Sequence, residues 1–146
     1  MRELPRQLSA DELAGLFEGR TRLVEALAGV EDPLERADAV IAGLDEEAKV
    51  EALAAHPAIG QRSGLSARSA AEQGAEADPA VLADLATLNR VYEETFGFRF
   101  VVFVAGRPKS EIVEVLRDRL ANTREEELDT ACRELVAIAR DRWTRT

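Results

Sequence analysis

Residues 98–105 read Phe-Arg-Phe-Val-Val-Phe-Val-Ala. Aromatic and β-branched side chains dominate the run, so propensity alone makes it a strand. A strand without a partner leaves a row of unpaired amides and carbonyls, and two or more neighbours are needed to make a sheet stable. No other part of the chain reads as a strand. The run is therefore expected to be an extended or partly helical buried segment in an all-α, single-domain compact bundle of about seven to nine helices spanning residues 1–146.

The flanking sequence carries the helical signals. Upstream, Asp78-Pro79 gives a cap followed by a residue with helical φ, and Leu82, Leu85, Leu88 and Tyr92 share one face before the stop at Phe96-Gly97. Downstream, Ser110 is read as opening a helix with Ile112, Val113 and Leu116 that ends near Asn122. Thr123 and Glu126 have capping-box spacing ahead of a last helix with Leu128, Cys132, Leu135, Val136, Ala139 and Trp143 on one stripe. Nearer the start, Ser9 and Glu12 form another capping box, Asp32-Pro33 opens a second or third helix, and Asp45 caps one that must stop near His56, because Pro57 disfavours α geometry in the residue before it. Residues 57–78 are rich in Gly, Ser and Ala and read as a long connection, with a short helix around Ser69–Gln73. Long connections in small domains are often functional.

Composition narrows the function. The 146 residues carry 19 Lys and Arg against 28 Asp and Glu, a net charge of −9, so the chain lacks the electrostatic footprint of a nucleic-acid binder. One Cys and one His cannot build a thiolate cage or a two-histidine metal site. No apolar run approaches the roughly 18 residues that span a bilayer, and the start of the sequence has no apolar h-region. The expectation is a cytoplasmic protein with no membrane partner.

Any imidazole chemistry must use His56, the only histidine. The same position at a helix end also suits an imidazole that merely favours the helix dipole. Ser69-Ala-Ala-Glu72-Gln73 is either a further capping box or a way of projecting Glu72 and Gln73 into a pocket. Residues 96–104 are either plain core or core whose backbone amides line a site. Arg140 and Arg142 are either solvated charges on a helix's polar face or the cation an anionic ligand would need.

In order along the chain, His56-Pro57-Ala-Ile-Gly60, Ser69-x-x-Glu72-Gln73, Asn89-x-x-Tyr92, Phe96-Gly97-Phe98-x-Phe100-Val101-Val102, Arg119-Leu120-x-Asn122 and Ile138-x-x-x-Arg142 resemble the 2-oxo-4-hydroxy-4-carboxy-5-ureidoimidazoline (OHCU) decarboxylases. The resemblance runs over about residues 10–143. It implies an all-helical, cofactor-free carboxy-lyase, often a homodimer, that forms (S)-allantoin in urate degradation from a small anionic ureidoimidazoline. It also implies His56 as catalytic acid/base with Glu72 as its polar partner. Pro57, Ser69, Gln73, Phe100, Val101, Val102, Phe103 and Val104 would contact substrate, and Arg142 would meet its carboxylate or polar ring atoms. Arg99 stands where the family often has Pro. A non-catalytic ureide-binding or interaction module is the alternative on the same residues.

Overall fold

Seven helices, most of them announced by the local signals above, form among residues 3–60 and 78–145, which the computed structural model describes. They are α1 (Ala10–Phe17), α2 (Arg22–Ala28), α3 (Pro33–Ala42), α4 (Glu46–Ala54), α5 (Pro79–Phe96), α6 (Lys109–Arg119) and α7 (Arg124–Arg145). Among the described residues there is no strand. Both capping boxes close: Glu12 N–H donates to Ser9 Oγ at 3.1 Å while Ser9 N–H donates to Glu12 Oε1 at 3.1 Å, and Thr123 and Glu126 exchange the same pair of bonds. Asp45 and Asp78 cap α4 and α5 through their carboxylates.

Local reading departs from the structure at three points. Asp32 precedes Pro33 as expected, but it sits at φ 53° and its carboxylate caps nothing; its N–H instead donates to Arg6 O at 2.8 Å, tying the chain's start to the α2–α3 turn. Helix α6 begins at Lys109 behind Pro108 rather than at Ser110. Helix α2, only 7 residues long, was not singled out because Thr21 is followed at N3 by Val24, which cannot complete a capping box. The short helix read around Ser69–Gln73 lies outside the described residues.

The long C-terminal helix α7 organises the core, packing on α1, α3 and α4, while α5 lies against α6. Its stripe of Leu128, Cys132, Leu135, Val136 and Ala139 is buried, as is a face containing Ile138 and Arg142. Residues 98–105 run extended between α5 and α6 with Phe98, Phe100, Val101, Val102 and Val104 all buried. Tyr92 packs its ring 4.7 Å from Phe96, 5.9 Å from Phe98 and 5.2 Å from Phe100, so α5 and the extended segment share one aromatic cluster. Such pairs add about 0.5–1.5 kcal/mol each beyond simple burial.

Side chains take the place of a partner strand. Arg119 donates through Nη1 to Val101 O at 2.8 Å, and Arg107 donates to Phe103 O at 2.6 Å and Val104 O at 3.0 Å. Glu134 on α7 accepts from Phe103 N–H at 3.2 Å. Arg119 is itself held by Glu127 at 2.8 Å, whose carboxylate also accepts from the buried Tyr92 Oη at 2.6 Å and, toward the surface, from Asn122 Nδ2 at 2.8 Å. This satisfied polar network fixes the level of the segment against α5, α6 and α7.

Candidate active site

His56 follows the last turn of α4, its N–H donating to Leu53 O at 3.2 Å, and Pro57 prevents the helix from continuing. Arg99 reaches across from the extended segment and donates to Ala54 O at 3.2 Å and to His56 O, while its Nε lies 3.3 Å from Glu93. Arg99, not His56, is thus the cation on the free carbonyls at the end of α4. An imidazole stabilised by the helix dipole would have a raised pKa; that of His56 is lowered to about 4, first by burial and then by the nearby positive charge of Arg142, with Glu18 opposing and Arg99 adding to the fall. Burial and the charge of Arg142 thus oppose whatever the end of α4 contributes toward an imidazolium.

The imidazole is 5% exposed, and its Nε2 is buried with no hydrogen-bond partner among the described residues. Buried polar atoms are nearly always paired, so this nitrogen on a cavity wall is open to a hydrogen bond from a molecule in the cavity. Such a cavity is present: about 120 Å³, lined by His56, Pro57, Ile59 and the whole stretch from Phe100 to Gly106, and closed from α7 by Ile138, Asp141 and Arg145. Ala105 and Gly106, at φ 51° and 75°, turn the chain at its edge. Asn89 Nδ2 donates to Ile59 O at 2.9 Å and steadies the loop that carries His56 and Pro57.

The structure therefore gathers His56, Pro57, Phe100, Val101, Val102, Phe103 and Val104 around one space. Ser69, Glu72 and Gln73 lie outside the described residues. The Phe103 amide is already used by Glu134, whereas among the described residues no hydrogen bond involves the Val102 or Val104 amides. Arg142 is not a solvated charge: it is 3% exposed, donates through Nη1 to Leu16 O at 3.2 Å, and places Nη2 3.1 Å from Glu18. Arg140 is not one either, since it donates to Leu34 O at 2.8 Å and Glu35 O at 3.1 Å and pairs with Asp38, fastening α7 to α3. Asp141 and Arg145 were missed by sequence reasoning, although a signal existed. With Ile138 on the site, positions three and seven residues on share its face of the helix.

The family model for OHCU decarboxylase matches residues 2–144. A 2-oxo-4-hydroxy-4-carboxy-5-ureidoimidazoline decarboxylase from Halalkalicoccus jeotgali is 31% identical over 113 residues, which are 74% of this chain and 64% of that protein. The uric acid degradation bifunctional protein PucL of Bacillus subtilis is 26% identical over 152 residues, 97% of this chain and 31% of that protein. The chain thus spans less than two thirds of the length of either relative. An OHCU decarboxylase crystallised in the presence of (S)-allantoin superposes with a TM-score of 0.77 at 22% identity, covering 92% of this chain and 96% of that one, a likeness that speaks for the fold. An (S)-allantoin synthase superposes with a TM-score of 0.66 at 25% identity, over 91% of this chain and 47% of the other. With the family model matched from end to end and the helical fold shared, the chain belongs to the OHCU decarboxylase family.

Proposed function

We propose that this chain decarboxylates OHCU to (S)-allantoin, with the neutral imidazole of His56 managing the protons. The observation that carries the reading is the Nε2 of His56, which has no partner among the described residues, on the wall of a cavity walled mainly by the extended segment. With a pKa near 4, His56 is unprotonated at neutral pH and ready to act as a base.

The substrate supplies its own electron sink. When the bond from the ring carbon to the carboxylate breaks, CO₂ leaves and the electron pair moves toward the adjacent C=N bond, whose nitrogen takes up the charge and then a proton from water. His56 accepts the proton of the hydroxyl on that same carbon, which becomes a carbonyl. The imidazolium so formed returns a proton to the neighbouring ring carbon. Delivery from one wall of the cavity reaches one face of the ring, so a single enantiomer results. The Val102 and Val104 amides hydrogen-bond the flat ureide edge, and the Phe100 and Phe103 segment covers its ring. Glu72 as partner of His56, and Ser69 and Gln73 as substrate contacts, enter the proposal through the resemblance alone. A homodimer and a cytoplasmic setting belong to the same reading; among the described residues no helix is long and apolar enough to cross a membrane.

The test generates OHCU in situ from urate with urate oxidase and hydroxyisourate hydrolase, and follows its decay. Faster decay with this chain present supports the proposal. Binding of allantoin with an unchanged decay rate would overturn it in favour of a ureide-binding module.

A further inference from the structure

Glu18 occupies the C-cap of α1 at φ 65° and ψ 24°, a left-handed conformation in which glycine is the usual choice and any other side chain adds strain. The side chain at this position reaches the most deeply buried cation near the candidate site: Glu18 Oε1 lies 3.1 Å from Arg142 Nη2, with side-chain exposures of 15% and 2%. Arg142 Nη1 donates to Leu16 O at 3.2 Å. The end of α1 therefore grips the guanidinium with a carbonyl and a carboxylate, and both members of the pair act electrostatically on His56. Arg99 also bears on the His56 pKa while bonding the His56 carbonyl, and Asp141 and Arg145 line the same cavity.

We propose that Glu18 is a positioning residue, which clamps Arg142 behind the cavity wall beside His56 and so keeps a buried positive charge next to the place where an anionic substrate group binds. The proposal rests on the function proposed above for its kinetic part only. A lone buried guanidinium would be costly to keep in place, and pairing with Glu18, which does not line the cavity, offsets that cost without filling it. Strained backbone at Glu18 is then the local expense of placing a carboxylate against Arg142 from the end of α1.

Two readouts test this. The lone histidine gives one set of imidazole signals in NMR, and its titration needs no substrate. Glu18→Gln removes the charge while keeping an acceptor, and it is expected to move the His56 midpoint below that of the unmodified chain, whereas Arg142→Gln moves it up. In the decarboxylation assay Glu18→Gln is expected to lower kcat/KM at least about tenfold, but to have no further effect in the Arg142→Gln background, because it acts through that residue. An unmoved His56 midpoint in Glu18→Gln, or losses in kcat/KM that multiply in the double variant, would overturn the proposal. If the unmodified chain fails to accelerate OHCU decay, the functional reading falls, and the titration still decides whether Glu18 and Arg142 act on His56.

Discussion

At His56 the orphaned nitrogen and the depressed pKa make separate demands. Replacing it with Asn keeps a polar group of similar reach but no titratable nitrogen, so kcat is expected to fall by about 10²–10⁴-fold, the usual range for a general acid/base, while the melting temperature changes little. Stability carries its own signature. The folded-state pKa near 4 lies below the ordinary 6.5, so between these values the unfolded chain binds the proton and the folded chain does not. Burial of His56 therefore carries no protonation penalty above pH 6.5 and destabilises progressively as pH falls toward 4, by roughly 3 kcal/mol in full. Urea denaturation of the unmodified chain and His56→Asn across this window is expected to show a shallower acid loss in the variant; identical slopes would contradict a buried neutral imidazole. His56 was legible because it is the only imidazole in the sequence. Glu18 and Arg99 were not, because a charged residue at a helix end or in a connection looks solvated until a partner distant in sequence, Arg142 for one and the His56 carbonyl for the other, is brought against it.

The element that decided the fold is also the one least explained by local propensity. Residues 98–105 look like a strand, and Arg107, Arg119 and Glu134 bond part of their backbone, the carbonyls of Val101, Phe103 and Val104 and the Phe103 amide, in place of a second strand. Capping pairs three residues apart were readable because the interaction is local, and so was the stripe on α7. Pinning of Val101 by Arg119 was not, because it depends on a carboxylate, Glu127, drawn from a third element. Arg119 and Glu127 are 9% and 0% exposed in their side chains, so removing one leaves a buried charge without its partner. Arg119→Met is expected to cost about 3–5 kcal/mol by urea denaturation. Less than about 1 kcal/mol would mean that the segment is held by its apolar contacts alone.

Across the whole molecule a net charge of −9 opposes the approach of a carboxylate, so cations near the cavity must compensate locally. Arg142→Ala is expected to lower kcat/KM at least about tenfold, roughly 1.4 kcal/mol of transition-state stabilisation. Arg140→Ala, which cuts the ties from α7 to Leu34, Glu35 and Asp38, is expected to lower the melting temperature with little change in kcat/KM. Equal kinetic effects from the two would remove Arg142 from catalysis. Prolonged chelation is expected to leave the rate unchanged, because the reaction requires only proton transfers and an electron sink within the substrate; loss restored by a divalent metal would contradict that. The central claim is proton delivery by His56 to one face of the ring. Its most direct measurement is circular dichroism of the allantoin formed from OHCU, with the unmodified chain and with His56→Asn in parallel. The account predicts a single enantiomer, (S), from the unmodified chain and racemic product at the uncatalysed rate from the variant. Rapid formation of (S)-allantoin by His56→Asn would contradict it.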